Sequence, residues 1–247
     1  MRKINTTAFR GKNLFLAAAF FFAVSIAAFP KETKTFDSGF MADLGASFDY
    51  EDAESDWASR FEGRFVNVEL GLGCYIWPVS VRLFCDFGSR IYGTVYLYGA
   101  ELDGKDDFAS AHTSIGGELG FRLYHGKRIA IVLPVGYMFT KTEYTKPYAA
   151  FNNNNGFETL EAEEAYINTY DAVFGGIEIN GVFNKYLCLI LYARGSYPLN
   201  AKHSWEARAP KGYVWTETGR NTRSESASLD VFAISAGLRI RVSPPNK

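Results

Sequence analysis

Charged side chains recur at alternate positions inside otherwise apolar stretches of this 247-residue chain. Glu69, Arg82, Asp86, Glu118, Arg122, Glu178, Arg194, Asp230 and Arg239 each fall in a run that reads as strand, as do Asp43 and Arg241. Six acids stand against five arginines, with no lysine. A guanidinium pairs a carboxylate through two parallel N–H bonds, and buried charges persist only when paired. The pattern predicts a salt-bridge network in an enclosed interior, with Arg241 and Asp43 nearer a wet rim.

The other reactive residues form no constellation. His112 and His203 are placed in different loops and His125 in a turn at the opposite rim, so they cannot share one metal. His203-Ser204 with Glu206 invites comparison with barrel lipases and acyltransferases, but no nucleophile elbow or catalytic spacing accompanies it. No catalytic residue, cofactor or metal site is expected. Cys74, Cys85 and Cys188 read as small apolar filler. Cys74 and Cys85 flank a turn at Trp77–Ser80, and a tight turn would set them diagonally, about 7–8 Å apart, outside disulfide range.

The elements that hold these charges are clearest between Ser114 and Lys141. Ile115, Leu119, Phe121 and Leu123 alternate with Gly116, Glu118, Gly120 and Arg122. After a turn at His125-Gly126-Lys127, Ile129, Ile131, Leu133, Val135, Tyr137 and Phe139 resume the pattern. Period-two alternation around a Gly-containing turn is a β-hairpin. Each arm has the roughly 9–11 residues with which a tilted strand crosses a bilayer.

Extended along the chain, the same reading gives eight strands, at about 36–48, 64–76, 81–98, 114–124, 128–145, 170–183, 187–197 and 229–242. In the third, Val81, Leu83, Cys85, Phe87, Ile91, Val95 and Leu97 hold one parity, unless the strand breaks near Gly88. The connections alternate long and short. That rhythm belongs to barrels with tight turns at one rim and long loops at the other. Tyr and Trp gather near strand ends (Trp57, Trp77, Tyr144, Tyr166, Tyr170, Tyr186, Tyr197 and Trp205), as two interfacial girdles would require.

The apolar face is Leu, Ile, Val, Phe and Ala, without charge in mid-strand. The polar face is crowded with Gly71, Gly73, Gly116, Gly120, Ser235 and Gly237 between isolated charges. A water-facing surface would carry many Lys, Glu, Thr and Gln instead. Small residues beside large charged ones suit the interior of an eight-stranded barrel, which side chains just fill. The apolar face therefore meets lipid, and a wide aqueous pore is excluded. A soluble lipocalin-like barrel would place the faces the other way round.

Residues 1–27 read as a secretory signal: Arg2, Lys3, Arg10 and Lys12 precede an apolar run from Leu14 to Ala28, with small residues at Ser25 and Ala27. Residues 28–247 then form the barrel domain. Formal charge is −1 overall and more negative without the signal. No basic stripe points to nucleic acid.

On strand number, loop rhythm, signal and Glu/Arg interior, residues 36–242 resemble the small eight-stranded outer-membrane proteins, the OmpA/OmpX/OmpW-like barrels. The fold expected is an all-β, eight-stranded antiparallel transmembrane up-and-down β-barrel. The resemblance implies an outer-membrane location and, as partners, outer-membrane lipids and the barrel-assembly machinery. Such proteins usually end in an aromatic residue, whereas here five residues follow Val242. Acidic loops (49–56, 101–107, 158–164), an Asn tract at 152–155 and a basic last loop (Lys202, Arg208, Lys211, Arg220, Arg223) offer surfaces for a host protein or glycan. A structural or adhesion-type surface protein is the leading functional expectation. A narrow channel or lateral-exit route for small or hydrophobic solutes, lined by Phe84, Ile190 and Tyr192, is the alternative. An embedded lipid-modifying enzyme comes third.

Overall fold

The computed structural model describes residues 38–242, apart from 57–58, 77, 98–99, 103–108, 127, 152–158, 184–185 and 209–221. The expected signal segment, Trp57, Trp77, the Asn tract and residues 209–221 of the basic last loop lie outside the described residues. Among the described residues nine strands run in order: β1 (Ser38–Ser55), β2 (Arg60–Ile76), β3 (Val79–Leu97), β4 (Ala100–Leu102), β5 (Ala109–His125), β6 (Ile129–Phe151), β7 (Thr159–Val182), β8 (Leu187–Arg208) and β9 (Thr222–Val242). Eight of them form a closed antiparallel ring, β1-β2-β3-β5-β6-β7-β8-β9 and back to β1. β4 is a three-residue tab on the far end of β3. Closure leaves the ring with no unpaired edge, a condition that lipid imposes on any sheet.

The outward row forms a continuous apolar belt. Phe40, Leu44 and Phe48 on β1, Val68, Leu70 and Leu72 on β2, Leu83 and Phe87 on β3, Ile115 and Leu119 on β5, and Phe232, Ile234 and Ile240 on β9 are all exposed. No water-soluble protein leaves so much contiguous apolar surface uncovered. This belt is the membrane-facing wall, as the alternation predicts.

The strands are much longer than the sequence indicates. Those of the ring run from 17 residues in β2 to 24 in β7, about twice what a bilayer needs. The stretches read as loops at 49–60, 146–168 and 198–227 are largely wall. Parity holds past the belt while the chemistry of the two faces exchanges. Phe48 lies outward in the belt and Asp52 outward above it, whereas Ser47 and then Ala53 face inward. Above the lipid the outer face meets water and the inner face becomes core. An acidic stretch such as 49–56 therefore looks like loop when only the membrane pattern is sought.

This exchange also relocates part of the expected girdles. Tyr144, Tyr166 and Tyr170 are buried inside the barrel, while Tyr186 and Tyr197 are exposed. In β3 there is a bulge and no break. The register steps from Arg64↔Tyr92 to Phe65↔Arg90, leaving Ile91 as an extra residue. Parity reverses there, and Val95, expected on the outer row, is buried within. The ladder pairs Cys74 with Val81 and Cys85 with Leu70. The two sulfurs thus stand four residues apart, about 13 Å along the strand and farther than the diagonal contact expected. All three cysteines are free.

Leu70 pairs with Leu44 in mid-belt. Replacing Leu70 by Arg is expected to cost about 2–4 kcal/mol in a bilayer, read from urea unfolding of the liposome-inserted barrel. A cost near zero would mean that this face meets water.

Candidate functional site

The inward row at the level of the belt builds one charged layer from seven strands. Asp43 (β1), Glu69 (β2), Arg82 (β3), Glu118 (β5), Glu178 (β7), Arg194 (β8), and Arg239 and Arg241 (β9) all point into the lumen and are buried. Arg82 Nε lies 2.7 Å from Asp43 Oδ2, its Nη2 meets Glu69, and its Nη1 is 3.6 Å from Glu118. Arg239 Nη1 is 3.1 Å from Glu69 and 3.6 Å from Glu118, and its Nη2 meets Glu178. Arg194 lies 3.1 Å from Glu118 and 3.5 Å from Glu69. Arg241 grips Asp43 with two N–H donors, at 2.7 and 2.8 Å, and donates a third to the Tyr75 hydroxyl. Four guanidiniums thus meet four carboxylates. Charge balance is what lets so many ions sit away from water.

Aromatic faces complete the packing. Arg239 and Arg194 lie 4.2 and 4.4 Å from the Tyr192 ring, on which their guanidiniums sit. Arg194 also rests on Phe84 and Phe174, at 4.9 and 5.2 Å. Tyr192 donates its hydroxyl hydrogen to Glu69 at 2.6 Å. Such stacking on desolvated cations adds to the ion pairing. The small residues on this face make the room. A Cβ on Gly71 would come within 2.5 Å of the Arg82 guanidinium, and one on Gly237 within 2.6 Å of the Tyr192 ring. Phe84, Ile190 and Tyr192, expected to line an open apolar cavity, instead occupy the lumen.

Three expected members stand elsewhere. Asp230 has the parity of Phe232 and Ile234, so it faces outward above the belt, opposite Glu54 and exposed. Arg122 sits at the short-turn rim, 2.9 Å from His125 Nδ1 and 4.8 Å over the Tyr75 ring. Asp86 is buried on β3 opposite Glu69, two inward steps beyond Arg82, and lines the small acidic cavity. Conversely Arg241 and Asp43, assigned to a wet rim, are among the most enclosed groups, because Tyr75 and the apolar cluster of Met41, Val182, Cys188 and Ile190 close the lumen at that level.

Above the charged layer the lumen becomes acidic, then aromatic. Asp49, Glu51, Asp86, His112, Ser114 and Tyr170 line a cavity of about 20 Å³, room for about one water molecule. His112 Nδ1 is 3.1 Å from Thr142 Oγ1, which donates to Glu51 at 3.1 Å. Higher still, Ala53, Phe61, Phe65, Val95, Tyr144, Tyr166 and Leu229 pack as an apolar plug. His203 is inside this plug, 4.9 Å from the Phe61 ring and hydrogen-bonded to Asn168 at 2.8 Å. His112 and His203 therefore belong to the wall strands β5 and β8. Their burial, and that of Glu51, was invisible without knowing that the strands outrun the membrane.

No protein-family model and no curated protein matches this sequence. Solved structures do. A major outer membrane protein from Thermus thermophilus shares 10% identity over 83% of this chain and 98% of its own, with a TM-score of 0.54. OprG from Pseudomonas aeruginosa (12%, 86% and 100%, TM-score 0.49) and Neisserial surface protein A (10%, 84% and 99%, TM-score 0.46) also align. At such identities the likeness is one of fold, and of these three the Thermus protein is close enough in shape to argue from. Ring closure, apolar belt and charged lumen define the class: the chain has the fold of a small outer-membrane β-barrel. Its eight-stranded ring has the strand number that the resemblance to OmpA/OmpX/OmpW-like barrels implied.

Removing Arg239 takes the cation from buried Glu178 and one of the cations from Glu69 and Glu118. Arg239→Ala is expected to destabilise the barrel by about 3–5 kcal/mol, measured by denaturant unfolding, whereas Arg60→Ala at the exposed Asp52 pair is expected to cost under about 1 kcal/mol. His203, above the belt, is held neutral by burial, its pKa lowered to about 4 from 6.5. Protons then bind the opened form first, so the extension loses stability as pH falls below about 6.5 towards 4. The His203 ring resonance is expected to titrate near pH 4. A midpoint near 6.5 would show the plug to be open.

Proposed function

We propose that this protein is a non-conducting anchor. A closed barrel holds its long-strand extension and loops out from the membrane as a structural or adhesion-type surface module. The observation that carries this reading is the filled lumen. An apolar cluster, the charged layer and the aromatic plug succeed one another from the short-turn rim outward. A solute crossing the lumen would have to break ion pairs and rings at each level. The extension itself is rigid wall with a polar outer face, which suits a surface that meets a host protein or glycan.

A side exit for hydrophobic solutes is the second reading, and one feature favours it. The β8–β9 ladder is interrupted between Ser196↔Ala233 and Lys202↔Ser228. The inner side of that interval carries Ala201, Val231 and Ala233 packed with Met138 and Tyr170.

The test is single-channel recording of the refolded chain in a planar bilayer. The wild type is expected to be silent, and the charge-balanced double variant Glu118→Ala/Arg194→Ala is expected to give small steps. Reproducible wild-type conductance would remove the anchor reading. Uptake of a hydrophobic solute by proteoliposomes that stay electrically silent would favour the side exit.

A further inference from the structure

The membrane-facing wall is not evenly covered. On β7, β8 and β9, Gly176, Ala193, Gly195 and Ala236 form the floor of a groove of about 490 Å³, walled by Phe48, Tyr50, Ile177 and Ile234. Gly195 pairs with Gly175 on one side and Ile234 on the other, and Ala193 pairs with Ala236. The lumen glycines would drive a Cβ into a neighbour. A Cβ on Gly195 would meet nothing within 4 Å, and one on Gly175 only Pro134 O at 4.0 Å. Close packing therefore does not explain these two glycines, and neither is among the positive-φ glycines. What they leave is a dent in the belt.

Arg64 closes the end of this groove nearest the long-loop rim. It faces outward, exposed, beside Tyr50 on β1, and its guanidinium stacks over Tyr92 at 5.3 Å. No carboxylate pairs with it among the described residues. The nearby Asp52 is taken by both prongs of Arg60, at 2.8 and 2.6 Å, and Glu62 lies one outward step nearer the rim. A cation between two tyrosines at the upper edge of an apolar belt stands at headgroup depth.

We propose that this groove is a binding site for an anionic lipid of the leaflet at the long-loop rim, with one acyl chain over Ala193 and Gly195 and the headgroup phosphate on Arg64. The belt fixes the occupant as lipid, and the cation selects its charge. One arginine near an anionic headgroup favours it about fivefold.

Native mass spectrometry of the full chain, extracted from nanodiscs of phosphatidylcholine and phosphatidylglycerol, tests this. The wild type is expected to retain one phosphatidylglycerol with about fivefold preference. Arg64→Gln is expected to lower that to no preference while still retaining lipid, and Gly195→Leu, which fills the groove, to lose retention of both. Heat-modifiable migration on gels checks that each variant folds. Equal retention of the two lipids by the wild type, or an unchanged preference in folded Arg64→Gln or Gly195→Leu, would overturn the site.

Discussion

Everything in this barrel answers to one constraint: an eight-stranded lumen is too narrow for water to solvate charges, so each ion must find its counter-ion across the ring. Asp43, Glu69, Glu118 and Glu178 against Arg82, Arg194, Arg239 and Arg241 meet that condition with equal numbers drawn from seven strands. Because several pairs, such as Arg82–Asp43, Arg239–Glu69 and Arg194–Glu118, join non-adjacent strands, the network is also a check on closure and register. A slip of one residue on any of these seven strands would turn a charge into lipid and leave its partners bare. The same layer that makes the register unique fills the lumen at the level of the belt.

Burial does not make such a layer a large source of net stability, since desolvation offsets much of the attraction. Its value is specificity. Backbone pairing within the ring and the apolar belt against lipid favour any closed register, and the charges single out one. The lumen glycines follow from this arrangement. Gly71 and Gly237 are small because Arg82 and Tyr192 cross the interior above them, whereas Gly195 has no such neighbour and leaves the wall dented.

Beyond the lipid the chain solves a different problem with the same geometry. There the wall stands in water on its outer side, so Phe61, Phe65, Tyr144 and Tyr166 fill the interior and Asp52, Arg60 and Glu62 face out. The protein is a membrane barrel continued as a soluble one. Between the two regimes lies a transitional level, acidic and tightly enclosed, where Asp49, Glu51 and Asp86 meet His112.

Strand parity within the belt was determined by sequence alone, because period two is a local property of the extended chain. Alternation in the stretches 64–76, 81–98, 114–124, 170–183, 187–197 and 229–242 placed Glu69, Arg82, Glu118, Glu178, Arg194 and Arg239 inside before any pairing was known. Tertiary structure decided what depends on other strands and on where the lipid stops. It carried the wall through the acidic stretch 49–56, turned Tyr144 and Tyr166 inward, and reversed Val95 through the bulge at Ile91. It also enclosed Arg241 with Asp43 and excluded Asp230. Each of these follows from what lies across the ring or outside the wall. Hydrophobic periodicity says which residues share a face, but only closure and the height of the membrane say what that face meets.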